Sequence, residues 1–161
     1  MGKAKKDIRD RLWAELELNI QRRVDKKDRT FLLQGRWKKY TRAQDGFEVY
    51  AVDGSWVRNN LCCYFGHGGH GLVHEFIPLK EIWVSTKHYS EGDQDSERCN
   101  CEGRFGNQNV SKSYFDSTVI HEIEEFKEMK KGKRYWQAHQ IALQKEIKSG
   151  LLKNIFSDVR N

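Results

Sequence analysis

At 161 residues, with 37% hydrophobic and 12% aromatic content, the chain has material for one core and too little for two. Its single proline excludes a proline-rich linker, and no apolar run approaches the roughly eighteen residues of a membrane span. The formal net charge of +6 sits at one end, since residues 1–39 hold thirteen Lys or Arg against six Asp or Glu.

Such a basic segment attracts nucleic acid, anionic lipid or an acidic protein surface. The N-terminus lacks the apolar core of a signal peptide, so a cytoplasmic location is expected and the four cysteines need not form disulfides.

Ile8, Leu12, Trp13, Leu16, Ile20 and Val24 form one stripe over Asp7–Val24 and predict a basic amphipathic helix within residues 1–28. Glu15 and Glu17 among its basic residues argue against a membrane-surface role.

From 30 to 86 the signals turn strand-like. Phe31–Leu33, Phe47–Val52, Ser55–Arg58, Leu61–Phe65, Leu72–Ile77 and Glu81–Ser85 are short and rich in aromatic and β-branched residues. Asp45-Gly46 and Asp53-Gly54 read as turns between them, and a mostly antiparallel, twisted sheet is expected. The glycines of Gly66-His-Gly-Gly-His-Gly71 are expected to close a hairpin. His67, His70, His74 and Glu75 near it form a secondary metal candidate, with His70 and His74 on one face of a strand.

Residues 87–113 form a long hydrophilic loop, of a length that is often functional. It contains Cys99 and Cys101, a second minor metal candidate with His88 as the nearest added ligand. Cys62 and Cys63 are expected on a strand, pointing to opposite faces.

A helical region follows over 114–161. Val119, Ile120, Ile123, Phe126 and Met129 recur at helical spacing over Tyr114–Lys131, with Asp116 or Ser117 as cap and Gly132 as stop. A second helix spans Arg134–Ser149 and ends at Gly150. Leu151, Leu152, Ile155 and Phe156 predict a last short helix.

The two long helices form an antiparallel hairpin in which Glu125 and His139, each seven positions from Gly132, face each other. His121 lies one turn before Glu125 on the same face, so two imidazoles and a carboxylate converge around the volume of one divalent ion. Helical phase puts His121 and Glu125 opposite the apolar stripe, which by itself means solvent. His139 and Glu146 instead fall within the apolar arc of Tyr135, Trp136, Ala142 and Leu143, where polar groups need partners.

The run His121-Glu-Ile-Glu-Glu125 resembles the His-Glu-x-x-His active-site helix of zincin metallopeptidases, with Glu125 standing where that helix carries its second His. Together with Asp53-Gly-Ser-Trp-Val-Arg58, Phe76–Val84, and Ala138-His139 with Glu146, it is similar to short prokaryotic and phage proteins with a zincin-like core. These segments span the middle and C-terminal parts of the chain.

The order of elements predicts a single α+β domain over 1–161, and the resemblance implies a metal-dependent hydrolase, a peptidase acting on peptide or protein. It also implies Zn²⁺ held by His121, Glu125 and His139 with one position open to water, Glu122 as general base and Glu146 orienting a ligand histidine, a structural pair of Glu146 with His139 being the other expectation for that residue. Iron or manganese also suits two nitrogens and a carboxylate. The alternatives are a nucleic-acid-associated protein using its basic N-terminal segment, with a structural metal or polar His/Glu cluster, and a degenerate zincin that binds metal without cutting. No Walker loop, dinucleotide fingerprint or nucleophile motif is present.

Overall fold

The computed structural model describes residues 33–87 and 109–152, together with position 14. The expected helix at Asp7–Val24, the Cys99, Cys101 and His88 group, and Ile155 and Phe156 lie outside these residues. Phe31 does too, and Leu33 carries no strand.

The fold is α+β. Strand β1 (Lys38–Gln44) pairs antiparallel with β2 (Phe47–Val52). Their turn is Asp45-Gly46, with φ of 51° and 84°, a left-handed pair that Asp and Gly accept more readily than bulkier residues.

Helix α1 (Gly54–Asn60) follows, where a strand was expected over Ser55–Arg58. The carboxylate of Asp53 accepts from the amides of Ser55 and Trp56 at 3.0 and 3.2 Å, so this residue caps a helix and does not turn a hairpin.

Strand β3 (Gly68–His70) occupies the expected hairpin tip, and β4 (Glu81–Ser85) completes the sheet in the order β1-β2-β4-β3. Because β4 runs parallel to β2 and antiparallel to β3, the sheet is mixed. Leu61–Phe65 and Leu72–Ile77 are turns, not strands. Amides of Val73 and His74 both reach the His70 carbonyl, and Ile77 reaches His74, which winds this segment into successive bends. Burial inside turns supplied the same apolar signal as strand residues.

Helix α2 (Lys112–Lys130) packs Val119 and Ile123 onto Phe47, Val49, Ile82 and Val84. The other face of the sheet holds Val52, Val57, Phe65, Ile77 and Trp83. Central β4 is buried along its whole length.

The N-cap of α2 is Ser111, whose hydroxyl accepts from the Tyr114 amide at 3.1 Å, five positions before the expected Asp116. Asp116 binds Arg42 at 2.8 Å and Lys112 at 2.6 Å instead. Burial pushes its carboxyl up, but the hydrogen bonds from Lys112 and Arg42 more than offset this and hold it below the usual range. Its stabilisation is therefore complete above the unfolded value of about 3.9 and is lost as pH falls through the lower folded value. Asp116→Asn should lower stability by about 0.5–1 kcal/mol at pH 6, given the partly solvated Arg42. Urea midpoints should show the gap to wild type closing below about pH 3.9, and a gap independent of pH would refute the ion pairs as its origin.

Helix α2 ends at Gly132, with φ of 96°, and α3 (Tyr135–Ser149) folds back along it until Gly150, with φ of 67°. Leu72, Met129 and Ala138 fasten this hairpin to the turns after β3. No helix among the described residues is long and apolar enough to cross a membrane.

Candidate metal centre

Three elements meet at one point. Helix α2 contributes His121, Glu122 and Glu125, α3 contributes His139 and Glu146, and β3 contributes His70. Contrary to the helical-phase expectation of solvent, His121 is 7% and Glu125 3% exposed. The reason is that α2 is a middle layer: Val119 and Ile123 face the sheet while the opposite side lies under α3.

His121 Nε2 lies 3.1 Å from Glu125 Oε2 and 3.0 Å from His139 Nδ1, and the latter is 2.8 Å from the same Glu125 oxygen. These three atoms form a small triangle of electron-pair donors. His121 Nδ1 donates to Glu146 Oε2 at 3.1 Å, and Ser117 Oγ donates to Glu146 Oε1 at 2.9 Å. When the His121 ring is neutral, with its proton serving Glu146, Nε2 presents a lone pair to the triangle. One proton can serve one edge, so three close edges cannot all be hydrogen bonds.

Without an ion, a proton takes its place on the His121 ring. Burial lowers the proton affinity of His121, but the hydrogen bonds and charges of Glu125 and Glu146 win and raise it well above the usual histidine value. Burial likewise raises Glu125, and hydrogen bonds from His121, His139 and His70 overcome it and hold the carboxyl well below its usual range. Positive charge is strongly favoured here.

Glu122 points to the β3 side. It is 8% exposed, and none of the described residues donates a hydrogen bond to it. Burial and the charges of Glu125 and Glu146, only partly relieved by His121, push its carboxyl up to about 8. A cation in the cluster would act in the opposite direction. Gly68 packs directly on it: a Cβ there would come within 2.9 Å of Glu122 Cγ and Oε1.

The two metal-capable groups among the described residues are His121, Glu125 and His139, and His70, Glu122 and Glu125, each with donor atoms within 4.8 Å of one another. Zinc bonds to nitrogen and oxygen of about 2.0–2.2 Å place tetrahedral donors about 3.3 Å apart, so the first triangle needs to spread by only a few tenths of an ångström. Its nitrogen and oxygen donors also suit iron and manganese.

The expected pairing of His70 with His74 does not occur, because the chain turns where a strand was expected. His74 packs against Phe65 and Phe76, and His67 against Tyr114. Cys62 and Cys63 follow α1 in turns, not on a strand. Ser117, expected only as a cap, bonds Glu146; its position one turn before His121 was the available signal.

A groove of about 570 Å³ lies elsewhere, at the start of α2, lined by Arg42, Ser111 and Phe115 among others. None of the cluster residues lines it. Comparison with known proteins adds no relative: no family model matches the chain, and neither a curated protein nor a solved structure matches it.

Proposed function

We propose that His121, Glu125 and His139 hold one divalent transition-metal ion, zinc foremost, and that the protein is a minimal zincin-like metal-dependent hydrolase acting on peptide bonds. The observation that carries this is the triangle of His121 Nε2, Glu125 Oε2 and His139 Nδ1, whose edges of 2.8–3.1 Å a single proton cannot satisfy. Bound there, zinc would supply Lewis acidity that polarises a carbonyl and makes a water more acidic.

The chain's own residues divide the remaining work. Glu146 accepts the Nδ1 proton of His121, fixing the tautomer and turning Nε2 to the ion. Glu122 follows the first ligand in the chain and lies outside the triangle; as general base it would take a proton from the attacking water and return it to the leaving amine. Tyr135 and Trp136 stack against His139 and hold its ring.

Burial of His121 and Glu125 favours one competing reading, a closed structural or degenerate site that binds metal and cuts nothing. The nucleic-acid alternative depends on the N-terminal segment, outside the described residues. The deciding experiment is metal analysis of the purified protein with turnover of a peptide library, before and after dialysis against a chelator. One equivalent of metal, with hydrolysis that disappears on chelation and returns with zinc, is expected. Metal without hydrolysis selects the closed site, and absence of metal under zinc-replete purification overturns both.

A further inference from the structure

We propose that His70 is a positioning residue of this centre, locked in the tautomer that donates from Nε2 to Glu125 and so turns the other Glu125 oxygen towards His121 and His139. The inference rests on the metal reading above and assigns His70 a place behind a ligand. The ring is fully buried, and its Nδ1 accepts from the Leu72 amide at 3.2 Å. A backbone amide can only donate, so Nδ1 must carry the lone pair and the proton of the neutral ring belongs on Nε2. Nε2 lies 3.0 Å from Glu125 Oε1, a geometry in which it donates.

The surroundings hold the ring in this pose. Its plane meets the Phe126 ring edge-on at 5.4 Å, and Leu72, which supplies the amide, is itself fully buried beside Met129 and Ala138. Glu125 is thereby split between two tasks: Oε1 receives the His70 proton, while Oε2 faces His121 and His139.

The same tautomer decides against a second ion between His70, Glu122 and Glu125, although their donor atoms also converge. Ligation through Nε2 would move the ring proton to Nδ1 and set it against the Leu72 amide, two donors facing each other in a buried site.

The test combines zinc titration of the full chain against a chromophoric chelator with long-range ¹H–¹⁵N correlation spectra of its histidines in zinc-free buffer. Wild type should take one equivalent, and His70 should show an unprotonated Nδ1 and a protonated Nε2. His70→Ala should keep one equivalent but bind it about ten- to a hundredfold more weakly. His70→Gln, whose amide N–H can still reach Oε1, should recover most of that loss. A protonated Nδ1, an unchanged affinity in His70→Ala, or two equivalents falling to one in that variant would each overturn the proposal. No zinc uptake by wild type would overturn the underlying metal reading, and this one with it, whereas the other results leave that reading intact.

Discussion

His121→Ala should abolish stoichiometric zinc binding and remove more stability than any other single change in the cluster. Its ring links both helices: Nε2 touches Glu125 and His139, and Nδ1 touches Glu146. Deleting it leaves two buried carboxylates short of a partner, and breaking a buried ion pair typically costs about 3–5 kcal/mol. Loss of the ion adds to this in zinc buffer, because a ligand at a thousand times its Kd stabilises the fold by about 4 kcal/mol. Urea unfolding with and without zinc, beside metal analysis, reads both effects. Wild type should gain stability from zinc and the variant should not; a variant still stabilised by zinc would place the ion elsewhere. Should the alanine variant not fold, His139→Ala, at the more exposed corner of the triangle, carries the same prediction.

Glu122→Gln should separate binding from chemistry. The side chain keeps its size, which matters because Gly68 packs directly on it, and the neutral amide suits a site that already disfavours a further negative charge. Zinc content and unfolding midpoint should therefore stay close to wild type. Peptide hydrolysis should fall by about 10²–10⁴-fold, the usual contribution of a general base. Equal turnover by variant and wild type would remove Glu122 from the mechanism. Loss of zinc in the variant would instead make Glu122 a ligand and favour the second converging group.

Much of the hairpin was legible from spacing alone. Once Gly132 is taken as the turn, its distance from Glu125 and His139 sets them at the same height, and their 2.8 Å contact follows from helix geometry. The Gly150 stop was equally local, since a left-handed residue after an apolar run ends a helix wherever the helix sits.

The sheet was less legible. Asp53 can open a turn or cap a helix, and only the amides of Ser55 and Trp56 decide which. The parallel pairing of β2 with β4 depends on where α1 and the turns after β3 carry the chain, which strand composition does not encode.

What the sequence by itself determined was the set of residues sharing each helical face, and hence the meeting of His121, Glu125 and His139. Only the tertiary structure decided that this face is covered, that Glu146 and Ser117 stand behind His121, and that His70 donates to Glu125. Face-sharing is a property of one helix and its period, whereas burial and proton placement depend on what distant segments bring against that face.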